Sequence, residues 1–146
     1  MRRLAIPTGI LLCLGATYAF ACWQVEQPPI VVRTVSLVAR VTENDAPRRR
    51  LTFSLHKAIT FDDREARKQG AYEKQVLKSA TTDSAGVFSF GEVKPGHYWI
   101  VPLAAAALSD SIAVEVVGPD AKAPHQRLWV KYFADGCRDV LAENVY

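Results

Sequence analysis

The sequence is poor in the residues that catalysis and metal binding use most. It contains three cysteines and three histidines among 146 residues. His56, His97 and His125 are far apart, and none has a second histidine or cysteine two positions away, as a metal-binding pair on a strand would. The motifs G-x-S-x-G and H-E-x-x-H and a phosphate-binding loop are also absent. We therefore predict that the protein is not an enzyme and that it uses no cofactor and no metal.

The chain also has little net charge of either sign. It carries 18 basic and 15 acidic residues. The only basic cluster is Arg48, Arg49 and Arg50, and Glu43 and Asp45 precede it closely, so we interpret it as solvated loop charge. Because no long-range positive field is present, we expect no nucleic acid partner.

No apolar run is long enough to span a bilayer comfortably. The N-terminus instead has the features of an export signal, since Arg2 and Arg3 precede a short apolar segment and Ala19-Phe20-Ala21 offers an A-x-A cleavage site. We predict a signal peptide over residues 1–21, followed by one domain in a periplasmic or secreted protein. A retained membrane anchor is the alternative.

Cys22 would then be the first residue of the mature chain, and two interpretations compete for it. In the first, Cys22 forms a disulfide with Cys137, because Cys13 leaves with the signal and an exported protein with two cysteines favours oxidation. In the second, Cys22 carries a lipid and holds the protein at the outer membrane. Ala21 before the cysteine suits a lipoprotein signal, but Ala19 stands where leucine is usual. We favour the disulfide.

Alternating apolar and polar residues predict strands through most of the mature chain. The predicted strands are 30–42, divided or bent near Arg33, then 51–59, 71–81, two strands within 82–100, then 111–117 and 126–133. His56 falls on the polar side of its strand, so we expect it to be exposed. A short helix is predicted near 61–69, since Thr60 and Asp63 form an N-terminal capping pattern. The loop that carries this helix is a candidate contact surface.

The most informative stretch is TDSAGVFSFGEVKPGHYWI, residues 82–100. Asp83 is placed to accept hydrogen bonds from backbone N–H groups of a turn, and Gly86 to adopt a positive φ. Pro95 and Gly96 suit the two central positions of a type II turn. The side chains that alternate onto one face of each flanking strand are Phe88 and Phe90, then Tyr98 and Ile100.

The spacing T-D-x-x-G-x-F-x-F-x-x-V-x-P-G-x-Y-x-I in this stretch resembles the carboxypeptidase regulatory-like domain. That family belongs to the transthyretin-like and Cna-B-like prealbumin sandwiches. The resemblance implies an all-β fold, a seven-stranded Greek-key β-sandwich, which we place at 30–134. Pro28 and Pro29 predict an extended leader at 22–29, and we assign 135–146 as a C-terminal tail. The resemblance also implies a non-catalytic role in an exported bacterial protein. A transthyretin-like hydrolase is less favoured, because that branch ends in Tyr-Arg-Gly-Ser and this chain ends in AENVY.

The sequence has more large aromatic residues than the inner face of one sandwich needs to fill its core, and Trp99 and Trp129 are two of them. On an outer face, Trp99 and Trp129 would form an exposed patch for carbohydrate or protein. In the alternative, the segment 135–146 or the leader with Trp23 covers them. The sequence does not name the partner, for which an envelope protein and a carbohydrate are the candidates. We expect a binding or structural accessory of the cell envelope, with a lipid-anchored, adhesin-like or carbohydrate-binding protein as the alternative.

Overall fold

The structure is a computed structural model that describes residues 28–59, 72–103, 111–133 and 137–146. In these ranges the chain is all-β, and ten strands form two mixed sheets. This confirms the predicted fold class at the level of two β-sheets around one core. The helix predicted near 61–69, the signal peptide and most of the leader lie outside the described residues.

Each sheet has five strands. Sheet A contains β1 (Ile30–Arg33), β4 (Thr52–Lys57), β5 (Lys78–Thr81), β7 (Gly96–Pro102) and β8 (Ile112–Val117), in the spatial order β1-β8-β7-β4-β5. Sheet B contains β2 (Ser36–Glu43), β3 (Ala46–Pro47), β6 (Val87–Glu92), β9 (His125–Tyr132) and β10 (Arg138–Val145). Its order is β10-β9-β2-β3, and β6 pairs with β2. The pairs β1/β8 and β2/β9 are parallel, and the other pairs are antiparallel.

The sequence predicted a long first strand that is divided or bent near Arg33. The structure confirms the division, because one strand ends at Arg33 and the next begins at Ser36. β1 lies in sheet A and β2 in sheet B, and Thr34 lies at the crossing. The crossing changes which positions point inward, so Val32 and Leu37 are both buried although they differ in parity. Val35, which has the same parity as the buried Leu37, is 41% exposed.

The segment expected as a C-terminal tail also contributes to the fold. Its residues from Arg138 to Val145 pair with β9 along the whole length of β10. A further short strand, β3, forms because Asn44 and Asp45 adopt positive φ angles of 48° and 66°, which two-residue hairpin turns require. The described chain therefore has ten strands where seven were predicted.

The two strands of the 82–100 stretch lie in opposite sheets. β6 belongs to sheet B and β7 to sheet A, so their apolar faces meet across the core. The Phe88 ring stacks on Phe53 of the facing sheet with 4.6 Å between centroids. The core also contains Val32, Leu37, Ala39, Val41, Leu55, Phe90, Val93, Tyr98, Ile100, Ile112, Val114, Val116, Leu128, Val130 and Val140.

The turn before β6 has the contacts expected of its sequence. One carboxylate oxygen of Asp83 accepts hydrogen bonds from the backbone N–H groups of Ala85 and Val87, both at 2.9 Å. Gly86 has a φ of 75°, and a Cβ there would lie 2.5 Å from the carbonyl oxygen of Val41. Only glycine fits this turn, because any side chain would collide with the neighbouring backbone.

The turn between β6 and β7 differs from the prediction. Gly96 has a φ of 158°, which is not the value of about 80° that the third position of a type II turn takes. The turn is instead held by Tyr98, whose hydroxyl donates a hydrogen bond to the Lys94 carbonyl oxygen at 2.7 Å. Burial raises the pKa of Tyr98. Pro95 lies between Lys94 and Tyr98, in the connection that leads from β6 in sheet B to β7 in sheet A.

Candidate functional site on the outer sheet faces

Each sheet has an outer surface made of the side chains that alternate with the core. We call the outer surface of sheet A face A; its central residues are Ser54, His56, Trp99 and Ala113, with Tyr72 beside them. We call the outer surface of sheet B face B; its residues are Arg40, Thr42, Val87, Arg127, Trp129, Lys131, Leu141 and Glu143.

Face A is covered at its centre. Trp99 is 3% exposed and packs with Ala113, and Tyr72, Ala58 and Val101 pack against the pair. Tyr72 also forms an isolated bridge with Ala58 just beyond β4, which carries the chain across the end of this surface. The tryptophan on face A is therefore a packing residue.

His56 is buried, so the expectation that it would be exposed is wrong. Its side of β4 is covered, because the chain returns over the strand and places the Tyr72 ring 4.7 Å from the imidazole centroid. The backbone N–H of Glu73 donates to the Lys57 carbonyl oxygen and fixes this return. Alternation along β4 predicted correctly that His56 shares a face with Ser54, but it carried no information about the covering segment.

Both ring nitrogens of His56 form hydrogen bonds within the protein. Nδ1 lies 2.8 Å from the Glu73 carbonyl oxygen, and Nε2 lies 2.9 Å from the Ser54 hydroxyl. Because a carbonyl oxygen only accepts, Nδ1 must donate. Nε2 shares a hydrogen bond with the Ser54 hydroxyl, which also lies 3.3 Å from the Val101 carbonyl oxygen. A serine beside a histidine has the spacing of a nucleophile and its base. Ser54 is only 2% exposed, however, so this pair serves as a buried hydrogen-bond network.

Trp129 lies in a different sheet, so the single patch of Trp99 and Trp129 is wrong. Its strand, β9, is in sheet B, and its indole N–H donates to the Thr42 hydroxyl at 2.9 Å. The Arg40 guanidinium carbon lies 3.4 Å from the ring centroid, and the Lys131 ammonium lies 3.7 Å from it. Two cations of the same protein thus contact the π-system, which leaves the ring poorly suited to stack on a sugar.

Glu143 links the neighbouring cations. It accepts two hydrogen bonds from Arg40, at 2.6 and 2.7 Å, and one from Arg127 at 2.5 Å. Burial acts to raise the pKa of Glu143, but the hydrogen bonds and charges of the two arginines outweigh it and lower this pKa below its ordinary value. The resulting network of ions and aromatic ring crosses β2, β9 and β10.

Face B also carries apolar groups in contact with solvent. Leu141, which lies opposite Trp129 on β10, is 39% exposed, and Val145 on the same row is 43% exposed. The side chains of Arg40 and Arg127 are 28% and 34% exposed. Face B therefore combines a tryptophan, two partly exposed arginines and exposed aliphatic groups, whereas face A is covered at its centre.

The sequence identified Trp129 but none of the polar residues around it. Arg127, Trp129 and Lys131 follow each other at intervals of two, a spacing that places them on one face of a strand. This spacing could have predicted from the sequence that the two cations flank Trp129. Arg40 and Glu143 are 103 positions apart, and only the order of β2, β9 and β10 brings them together.

The predicted cysteine pair is described only at one end. Cys137 is the only cysteine in the described ranges, so no disulfide joins two described residues. Cys22 lies outside these ranges. Its pairing with Cys137 and its lipidation both remain predictions.

Other features of the described chain offer less to a ligand. An open groove of about 350 Å³ at one end of the sandwich is lined mainly by Val35, Val93, Pro95 and Pro119. No three metal-binding side chains come together within the ranges that the structure describes. In the same ranges, no helix has the length and apolar character needed to cross a membrane.

Two comparisons with known proteins identified no relative of this chain. No family model matches the sequence. A search of the curated proteins finds no match either. The likeness to the carboxypeptidase regulatory-like domain therefore depends on residues 82–100 alone.

Proposed function

We propose that this protein is a non-catalytic β-sandwich module of the carboxypeptidase regulatory-like type that acts as a binding or structural accessory in the bacterial cell envelope. Its contact surface is face B. The observation that carries the proposal is the contrast between the outer faces. Trp99 is 3% exposed, whereas Leu141 beside Trp129 is 39% exposed.

The partner that suits face B best is another protein. Tryptophan and arginine are the residues most enriched at the energetic centres of protein interfaces, and both occur here beside exposed Leu141. A carbohydrate ligand is the less favoured alternative, because Arg40 and Lys131 lie over the Trp129 ring where a sugar would stack. The arginines are also held in place by Glu143, so little side-chain entropy would be lost on binding.

Export to an oxidising compartment belongs to the same proposal. Arg138 donates a hydrogen bond to the Ser111 carbonyl oxygen at 3.2 Å, which places Cys137 near the start of β8. The parallel register of β1 and β8 puts Pro28 at that same end. An extended chain from Pro28 to Cys22 reaches roughly 20 Å. The position of Pro28 and Cys137 at one end of the sandwich supports a disulfide between the two cysteines.

A site-specific crosslinking experiment tests the contact surface. A photo-reactive amino acid replaces Val87, which lies opposite Arg40 on face B, or Val76, which is 48% exposed elsewhere. Both proteins are irradiated in a bacterial envelope extract. We expect protein adducts of defined mass from position 87, and their loss when Trp129→Ala is added. Equal adducts from both positions, or none from position 87, would contradict the proposal.

A glycan array probed with the same protein tests the carbohydrate alternative. We expect no retention that depends on Trp129. Retention on neutral or acidic glycans that disappears in Trp129→Ala would replace the protein partner with a carbohydrate. The intact mass of the exported chain, with and without reductant, separates a disulfide from a lipid on Cys22, because the disulfide changes the mass by two hydrogens only.

A further inference from the structure

The ionic network of face B holds more positive charge than its central carboxylate neutralises. Oε1 of Glu143 accepts a hydrogen bond from the Nε–H of both Arg40 and Arg127, so two guanidinium groups share one oxygen. Arg40 also donates to Oε2 of the same carboxylate. The Lys131 ammonium lies on the Trp129 ring instead of on an acid. The side chains linked through Trp129 and Glu143 thus carry three positive charges and one negative charge.

β10 contributes a second acidic residue to this face, but that residue is too far from the arginines to complete the network. Asp139 lies opposite Lys131 in the β9–β10 register and forms no ion pair with it among the described residues. Along the strand it is roughly 13 Å from Glu143. Within the described ranges, no acid other than Glu143 pairs with either arginine. The excess positive charge around Glu143 therefore faces solvent.

Part of the hydrogen-bonding capacity of the two arginines is also unused. Arg127 donates only through Nε, and neither of its terminal nitrogens has a partner in the part of the chain that the structure describes. Arg40 donates through Nε and Nη2 and keeps Nη1. The end of a guanidinium group matches the two oxygens of a carboxylate and can bind both. The Arg127 side chain is 34% exposed, which leaves room for such a group.

Exposed aliphatic groups lie on both sides of this position. Arg127 is opposite Glu143 in the β9–β10 register, and Leu141 and Val145 precede and follow that glutamate on the same side of β10. Both aliphatic side chains are in contact with solvent. Alternate residues of a strand are roughly 7 Å apart. A ligand that suits this arrangement carries a negative group with an apolar group at about that distance on each side.

We propose that the partner of face B supplies a second carboxylate to this network. An aspartate or glutamate of the partner protein binds the terminal nitrogens of Arg127, and apolar side chains beside it pack on Leu141 and Val145. This inference rests on the proposed function and specifies the chemistry of its partner.

The charge of the chain favours a protein over other anionic partners. Anionic membranes and polyanions are bound through many basic groups and a long-range positive field, whereas this chain has 18 basic and 15 acidic residues. Self-association through face B is also disfavoured, because two copies placed face to face would oppose cations to cations. An acidic side chain within an apolar surface needs only the short-range contacts that face B offers.

A random peptide library displayed on phage tests the chemistry of the partner. Phage are selected on the purified wild-type protein and depleted on Trp129→Ala, so that only sequences that need face B remain. We expect the remaining peptides to be enriched in aspartate or glutamate with apolar residues on each side, and to bind less tightly as salt is raised. Remaining peptides without such acidic residues, or no remaining peptide, would overturn the inference.

A double-mutant cycle on one selected peptide tests whether its carboxylate binds Arg127. Glutamine replaces the acidic residue of the peptide, Arg127→Gln changes the protein, and calorimetric titration measures Kd. Each change alone should raise Kd about tenfold and both together should raise it no further, because they remove the same ion pair. The control is Arg49→Gln in the exposed loop between β3 and β4, which should leave Kd unchanged.

The cycle stays valid if Arg127→Gln impairs folding, because the peptide change is also measured on the wild-type protein. An unchanged Kd for the glutamine peptide would contradict the contact, and so would additive effects or an equal loss in Arg49→Gln. The proposed function fails by a different result. Peptides that need Trp129 but carry no acid would remove only the second carboxylate, whereas a lack of crosslinks from position 87 would contradict the contact surface itself.

Discussion

Faces A and B are built by the same alternation of residues and differ in what lies over them. On face A, the return of the chain at Tyr72 covers a buried network, in which His56 bonds to a serine and a backbone carbonyl. On face B, the groups are charged, and Arg40 and Glu143 keep part of their side-chain surface in solvent. The comparison indicates that a covering segment, and not the strand pattern, decides which outer face of this sandwich is open to solvent.

Replacing each of the two tryptophans by alanine should give the largest difference in the free energy of unfolding. Trp99→Ala should lower the free energy of unfolding by about 3 to 5 kcal/mol, because it leaves a cavity in a packed layer. Trp129→Ala should cost only about 1 to 2 kcal/mol, since it removes one hydrogen bond and a partly exposed cation–π contact. Urea unfolding of both variants measures this. Equal costs would mean that face A is as open as face B.

Replacing the buried His56 should have the next largest effect on the free energy of unfolding. His56→Ala leaves the Ser54 hydroxyl and the Glu73 carbonyl oxygen without their shared partner, and we expect a loss of about 1 to 3 kcal/mol. Since His56 and Ser54 are buried, added salt should screen their contacts little, and the loss should be the same in low and high salt. A loss that shrinks with added salt, measured by urea unfolding, would contradict a network closed to solvent.

The stability contributed by the ionic network of face B should depend on salt, unlike that of the His56 network. Glu143→Gln removes the charge that Arg40 and Arg127 share, and a cost of about 0.5 to 1 kcal/mol is expected for a partly exposed network. Salt screens such charges, so the difference from wild type should decrease in 1 M salt. A salt-independent difference would indicate that the hydrogen bonds alone matter.

The smallest effect is the dependence of face B on acid. The folded pKa of Glu143 lies below its ordinary value of 4.5, so the carboxylate stabilises the fold above that pH. This contribution is lost as the pH falls through the lowered folded pKa. The free energies of unfolding of wild type and Glu143→Gln should therefore differ at pH 6 and converge as the pH falls below the folded pKa. A difference that stays constant as the pH is lowered through the acid range would contradict the lowered pKa.

Local patterns predicted the parts of the fold that depend on neighbouring residues. Asp83 and Gly86 could be assigned because a turn uses contacts within a few positions, and the inward set of Phe88 and Phe90 follows from a period of two. The crossing at Thr34 was located approximately for the same reason. These features need no knowledge of the rest of the chain.

The sequence did not predict the features that depend on distant segments. His56 was expected in solvent because alternation gives the side of a strand and not its cover. Arg40 and Glu143 meet only because β2, β9 and β10 are adjacent, and nothing near either residue shows this. The strand after Cys137 was missed because its sequence, RDVLAENV, alternates weakly. Its pairing with β9 supplies the hydrogen bonds that its own pattern does not indicate.

Hydroxyl-radical footprinting of the purified protein, analysed residue by residue, tests the difference between the faces most directly. The account predicts that Leu141 and Trp129 are oxidised readily, that Trp99 and His56 are protected, and that a bound partner protects Leu141 and Trp129 in turn. Oxidation of Trp99 as fast as Trp129 in the folded protein would contradict it.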